Sequence, residues 1–405
     1  MSYYKTYIIK YIVYSIIFVH SSLIAGTTGK IKGKVIDKDT DEPLIGCNIL
    51  VEGTTSGAAT SLDGTYFILN VPPGKYNLIA TMIGYKKVTV QNVEVSSDFT
   101  TSISLALQTE VVSGEEVIVF ASQNKIIKDL TSSTSVVSSE DFDLLPVTEI
   151  SEVLEIQAGY IDGHLRGGRS GEVSYWVDGI AVTDAYNGNA ATSINKNSIE
   201  EMQVISGAFN AEYGHAMSGI VNIITKDGSN QTKAYLSSYL GDFISNKSSL
   251  FQNIPDIQLS STKNLDLSLN GPIIKDKLFY FTNARSIRYE GPYSGKRIFN
   301  YYNVSYFDST GSFVVSKPTV LNGDTVYTGY GDNSYVPMDW NEHNYFQLKL
   351  IYKFSPLTKI RFTRINDNKV SQYYDRMYKY NPDGALNHND VSETNIFQIT
   401  KNFNK

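Results

Sequence analysis

The residue types in this chain that could do chemistry are five histidines, one cysteine and a glycine-rich loop carrying an arginine and a serine. A zinc peptidase site needs paired histidines and a carboxylate at fixed spacing, so that the ligands converge on one ion. His20, His164, His215, His343 and His388 are scattered, and neither HExxH nor HxxE occurs. His164 and His215 each stand beside a glycine turn and read as polar turn residues. Gly167-Gly168-Arg169-Ser170-Gly171 lacks the lysine-serine ending that holds phosphate and magnesium. No GxSxG elbow is present. Cys47 lies in an apolar run and reads as a small buried hydrophobe; being single, it excludes an intrachain disulfide framework. No metal, cofactor or catalytic centre is expected from these residues, and the chain reads as a non-enzyme.

What the residues do offer is backbone pairing. Glu115-Glu116-Val117-Ile118-Val119 sets an apolar β-branched run behind two acids. Such a run can be added as a strand to a partner's exposed sheet edge, and it also suits an ordinary edge strand.

The elements around it are read from composition and pattern. A formal charge of -6 over 405 residues gives no electrostatic footprint for nucleic acid. Mean hydropathy of -0.19 with 12% aromatic residues argues against a bundle of membrane helices. It does not argue against a membrane β-barrel, whose strands are apolar on one face only, and 29 tyrosines suit membrane interfaces and binding loops. Lys5 and Lys10 ahead of the apolar run 11–19, with small residues at Ala25 and Gly26, predict a signal peptide over 1–25.

Residues 29–108 carry about seven short strands separated by turns such as Asp63-Gly64 and Pro73-Gly74, which predicts a small β-sandwich. A linker over 109–125 follows. From 126 to 228 the text mixes two helix starts, near Ser138 and Thr148, with glycine-punctuated strands, including Val173, Tyr175 and Val177 alternating on one face. Beyond 229 the pattern changes to six longer amphipathic strands, near 232–243, 263–272, 277–289, 343–354, 358–368 and 392–403. Their connections alternate long and short, as in a barrel whose outer loops are long and periplasmic turns short. In the fourth strand Phe346, Leu348, Leu350, Tyr352 and Phe354 face one side, and Tyr345, Gln347, Lys349, Ile351 and Lys353 the other.

Leu165-Arg166-Gly167, Val177-Asp178-Gly179, the acidic-apolar run 199–205, Ala211-Glu212-Tyr213-Gly214 and the ending Gly219-Ile220-Val221-Asn222-Ile223-Ile224-Thr225-Lys226 stand in one order. Together they resemble the plug domain of TonB-dependent outer-membrane receptors. The stretch with Gly33, Pro43-Leu44, Gly46, Gly53-Thr54, Asp63-Gly64, Tyr66, Pro73-Gly74, Tyr76 and Gly84-Tyr85 is similar to the carboxypeptidase regulatory-like domain of Bacteroidetes-type receptors. The resemblance implies a mainly β chain: an N-terminal β-sandwich, a mixed α/β plug, then the first strands of an antiparallel transmembrane β-barrel. It implies plug positions Gly167, Asp178, Gly179, Gly207, Tyr213, Gly214, Gly219 and Asn222, and plug-barrel contacts at Arg166 and Arg169. Glu115 to Val119 resembles the TonB box, followed here by Phe120-Ala121 rather than threonine-alanine.

The implied partners are TonB with the inner-membrane ExbB-ExbD motor, outer-membrane lipids, a surface lipoprotein, and a nutrient such as an oligosaccharide, peptide or metal chelate. The implied place is the Gram-negative outer membrane with the N-terminal domain periplasmic. Family barrels have 22 strands, so six imply a chain truncated within its barrel. An adhesion or structural binding protein without transport is the alternative expectation.

Overall fold

The computed structural model describes residues 27–401, apart from 55, 111–116, 121–131, 170, 208, 210–212, 215, 248–250, 252, 254–260, 300–305, 308, 315–317, 322–323, 328–330 and 356–357. The expected signal peptide, Glu115, Glu116, Ser170, Ala211, Glu212 and His215 lie outside the described residues. The chain forms two compact units, one of residues up to Ala191 with Ile199–Lys226, the other of Thr192–Ser198 with residues from Asp227 on.

The first unit opens with nine short strands, β1 (Gly29–Asp37), β2 (Asn48–Val51), β3 (Gly57–Ala59), β4 (Thr65–Val71), β5 (Gly74–Thr81), β6 (Val88–Val95), β7 (Thr100–Ser102), β8 (Leu105–Leu107) and β9 (Val117–Phe120). One sheet runs β4-β1-β7 with β8 also on β1, and the other β3-β2-β5-β6-β9. Alternate residues of both sheets, among them Ile31, Val35, Ile49, Tyr66, Leu78 and Val90, fill a shared core with Cys47. Burial pushes the Cys47 thiol up to about 11, so it packs as a hydrophobe. Gly33 has a steric reason: a Cβ there would lie 1.7 Å from the Ile103 carbonyl, which already accepts the Tyr66 hydroxyl at 2.7 Å.

The rest of this unit holds β10 (Ser132–Ser138), α1 (Ser139–Leu144), α2 (Ile150–Glu155), the short β11 (Tyr160–Ile161) and β12 (His164–Leu165), β13 (Val173–Val177), β14 (Ile180–Ala181), β15 (Ile199–Gly207) and β16 (Gly219–Thr225). The sheet order is β10-β15-β16-β13-β14, with β13 parallel to β16. Both helices start as expected. The Ser138 hydroxyl accepts the Asp141 N–H while the Asp141 carboxylate accepts the Ser138 N–H, a reciprocal capping box. Glu152 does the same for the N–H groups of Thr148 and Glu149. The alternation in β13 does not mark an exposed face: all five residues are buried, because the strand lies inside the sheet and both faces are covered.

The second unit is a meander of long strands, β17 (Lys233–Gly241), β18 (Thr262–Ile274) and β19 (Leu278–Glu290), then the loop pairs β20 (Ser294–Lys296) with β25 (Tyr335–Pro337), β21 (Tyr306–Phe307) with β22 (Phe313–Val314) and β23 (Pro318–Leu321) with β24 (Asp324–Tyr327). It closes with β26 (Trp340–Ser355), β27 (Thr358–Gln372) and β28 (His388–Lys401). The six long strands follow one another antiparallel as β17-β18-β19-β26-β27-β28. They are the six the sequence predicts. Only residues 275–277 join β18 to β19 and only 356–357 join β26 to β27, whereas the other connections are long.

Candidate functional site

Each expected plug residue has a definite place in the first unit. Asp178 and Gly179 are the two-residue loop between β13 and β14, with φ of 49° and 81°. Positive φ at both central positions is the geometry of the two-residue turn whose twist matches the flanking strands. Asp178 is fully buried, and its carboxylate accepts the N–H and the hydroxyl of Thr225 at the end of β16. Tyr213 is buried edge-on against Trp176, ring centres 5.4 Å apart. Gly219 is the tightest of the expected plug glycines: a Cβ would lie 2.0 Å from Leu165 Cδ2 and 2.8 Å from the Ile205 carbonyl. Gly167 and Gly207 take positive φ, while Gly214 faces open space. Asn222 is fully buried in β16 between Trp176 and Gln203, its amide without a hydrogen-bond partner among the described residues.

Arg166 and Arg169 are exposed in this unit. Arg166 has φ of 50°, and its guanidinium lies beside Gly207. The Arg169 N–H bonds Glu172, three residues on. Val117–Phe120, the described part of the run with Glu115 and Glu116, pairs parallel with β6, Thr89 opposite Ile118 and Val90 opposite Val119. Ile118, Val119 and Phe120 are exposed. The segment read as a linker thus supplies the edge strand of a sheet, with no further strand beside it among the described residues.

The second unit shows an inverted sheet. On β18, Leu265 and Leu267 are 53% and 39% exposed while Asp266 between them is 2% exposed. Phe346, Phe354, Phe397 and Ile399 continue the apolar outer face, and Asn264, Ser268, Asn283, Arg285, Gln347, Lys349 and Thr363 the buried polar one. Phe279, Phe281 and Tyr345 join that inner face. A sheet that exposes its hydrophobes and buries its polar groups suits a solvent that is apolar outside and wet within.

Residues of Thr192–Ser198 are fastened to this polar face. Asp266 accepts the side-chain amides of Asn195 and Asn197 at 2.6 and 2.7 Å, and of Asn283 at 2.7 Å. Asn195 also reaches Asn283 Oδ1 at 2.8 Å. The Ser193 N–H donates to Asp367 at 2.9 Å, and Asp367 pairs with His343. Nearby in sequence to β17, Asp227 accepts Lys349 Nζ at 3.0 Å and Arg361 Nη2 at 2.9 Å. Burial alone would raise the Asp227 carboxyl, but Arg361 and Lys349 hold it well below the usual carboxylate range. Sequence reasoning missed these fastenings. Asp266 and Asn283 sit at polar positions of alternating strands, which is a usable signal, whereas nothing in Asn195-Lys196-Asn197 separates it from a solvated loop.

No group of three or more His, Cys, Asp or Glu side chains among the described residues could hold a metal ion. Among the described residues the arrangement presents polar clamps and a strand edge.

Comparison with known proteins matches residues 31–119 to the CarboxypepD_reg-like domain and residues 127–220 to the TonB-dependent Receptor Plug Domain. Similar curated proteins include TonB-dependent receptor P26 of Formosa agariphila, 26% identical over 87% of this chain and 33% of that protein. TonB-dependent transporter Oar of Myxococcus xanthus is 24% identical over 65% of this chain and 26% of its own length. TonB-dependent receptor SusC of Bacteroides thetaiotaomicron is 29% identical over 49% of this chain and 21% of its own length. The chain therefore spans a third or less of these relatives. Among solved structures, the siderophore receptor PirA from Pseudomonas aeruginosa aligns over 59% of this chain and 34% of that one, with 16% identity and a TM-score of 0.37.

Proposed function

This chain belongs to the TonB-dependent receptors, with a CarboxypepD_reg-like domain ahead of its plug, and on that premise we propose that it is the plug-bearing part of an energised outer-membrane importer. The observation that carries the reading is the inverted six-stranded sheet with residues of Thr192–Ser198 clamped to its polar face. Such clamps are made of hydrogen bonds and ion pairs in a wet lumen, so they hold a plug closed and can still be pulled apart.

In this reading the six strands lie in the Gram-negative outer membrane, the sandwich lies in the periplasm, and a nutrient enters through the long loops. An oligosaccharide, a peptide or a metal chelate each suits loops rich in tyrosine and asparagine, and a surface lipoprotein would act as its partner on that side. TonB, driven by ExbB-ExbD, takes the run from Glu115 to Val119 by strand addition. Arg166 and Arg169 supply further contacts between plug and barrel.

The test is Ile118→Pro in the intact receptor, which removes a strand N–H without adding charge. Two readouts are taken: binding of the purified periplasmic domain of TonB, and uptake of a fluorescent maltodextrin, a labelled oligopeptide and a ferric catecholate. Loss of TonB binding together with loss of whichever uptake the unmutated receptor shows supports the importer. Unchanged binding, with ligand still held at the cell surface, leaves an adhesion or structural binding protein.

A further inference from the structure

β6 does two things at its two ends. Its first half, Val88 to Gln91, carries β9 as a parallel partner. Immediately past its last residue, Val95, the chain turns through Ser96, Ser97 and Asp98 and meets the sheet that follows the sandwich in the first unit. There the Ser97 N–H donates to Glu201 at 3.0 Å, and the Gln203 amide donates to the Ser97 carbonyl at 2.8 Å. Gln203 also donates to Glu201 at 2.7 Å, and the Tyr213 hydroxyl donates to Asp98 at 2.9 Å. Glu201 and Gln203 are two apart on β15, so both point to the same face, and both are buried. Ser97 itself is fully buried. A surface turn whose backbone donor and acceptor are both satisfied by buried side chains of another domain is seated rather than resting there.

We propose that Glu201, Gln203 and Tyr213 form a docking site on the plug for the Ser97–Asp98 turn of the sandwich, and that the two domains move as one body. A second contact supports the seat: Lys75, at the start of β5, pairs with Glu140 on α1. Resting on the importer reading, the consequence is a second route for a pull on β9. Tension passes through its ladder with β6 to the docked turn, and so to β15 in the plug sheet, in parallel with the covalent connection over 121–131.

The test separates docking from transport. A protease site is placed between residues 121 and 131 of the intact receptor in detergent, the connection is cut, and release of the N-terminal fragment is followed by size exclusion. The docked arrangement keeps the fragment with the plug-bearing part. Tyr213→Phe, which retains the ring against Trp176 and loses only the hydroxyl bond, should speed release about fivefold. Asp98→Gly removes the acceptor from the sandwich side, leaves the plug untouched, and suits the φ of 60° at that position; it should match Tyr213→Phe, and the two together should add nothing beyond either. A fragment that falls away from the unmutated protein on cutting, or variants that release at the unmutated rate, overturns the docking site. Neither outcome bears on uptake, so the importer reading stands or falls separately.

Discussion

The Asp178 carboxylate accepts the backbone N–H of Thr225 at 3.0 Å and its hydroxyl at 2.8 Å, tying the turn after β13 to the last residue of β16. Those strands are parallel neighbours, and a parallel pair cannot be closed by a short turn. The side chain at the turn does the closing instead. Asp178→Ala would lose both bonds and put at positive φ a residue that tolerates the left-handed region less well than aspartate, at a cost of about 3–5 kcal/mol. Asp178→Asn keeps one acceptor and tolerates the backbone, so it should cost about 1–2 kcal/mol. Hydrogen exchange at the Thr225 amide in the intact receptor reads both, with protection falling in that order.

Gly219 and Gly214 make opposite predictions although both belong to the plug pattern. A Cβ at Gly219 would overlap Leu165 and the Ile205 carbonyl, whereas one at Gly214 meets nothing within 4 Å. Gly219→Ala should therefore destabilise by about 2–3 kcal/mol through overpacking, and Gly214→Ala should be silent. Leu165→Ala is costly alone at this fully buried position, but should cost less when added to Gly219→Ala, since it removes one of the two clashing groups; the carbonyl clash remains. A double-mutant cycle in thermal unfolding measures that coupling.

How much of this was legible beforehand follows from what a sequence encodes locally. The six strands were readable because a period of two reports which side each residue faces, and Leu265, Asp266 and Leu267 keep to it. The helix starts near Ser138 and Thr148 were readable because a cap and its acidic partner lie within one turn; the second cap falls one residue on, at Glu149. The pairing of β9 with β6 was not, because an apolar β-branched run names no partner. Glu201 read as part of an acidic-apolar run, and its burial depends on Ser97, more than a hundred residues away. Asn195 and Asn197 are ordinary loop residues until Asp266 is brought to them by the sheet.

The clamp on Asp266 gives a local prediction. Its carboxylate satisfies three amides, from Asn195, Asn197 and Asn283. Asp266→Ala removes the acceptor these amides share; Asn195 keeps Asn283 Oδ1 and Asn283 keeps the Leu267 carbonyl and the Ser268 hydroxyl, so the loss falls mainly on Asn197 and on the second Asn195 donor, at about 1–3 kcal/mol. The loss should fall on the Thr192–Ser198 segment, since β18 keeps its ladder to both neighbours. Limited proteolysis of the intact receptor should show new cleavage within 192–198 in Asp266→Ala, little in Asp266→Asn, and none within β18 in either. Cleavage of the strand itself would mean that Asp266 supports the sheet and not the segment.

Glu201 makes the docked turn sensitive to pH. Burial raises its carboxyl from 4.5 to about 7, against the lowering effect of the Ser97 N–H, the Ser96 hydroxyl and the Gln203 amide; the neighbouring Glu200 charge raises it further. A carboxyl whose pKa is higher in the docked, folded state binds its proton more tightly there. Relative to a solvated carboxyl, its stabilising contribution is therefore complete below about pH 4.5 and is lost as pH rises through 7, amounting to at most about 3 kcal/mol across that window. After the connection over 121–131 is cut, the N-terminal fragment should leave the plug more slowly at pH 5.5 than at pH 8. Glu201→Gln keeps an acceptor and cannot ionise, so release should become nearly independent of pH and resemble the slow, acidic limit. Glu200→Gln removes the neighbouring charge, which lowers the Glu201 midpoint and should shift the transition to more acidic pH. If the Glu201→Gln protein still releases faster at pH 8, the titrating group lies elsewhere and the buried carboxylate is only a fixed acceptor for the turn.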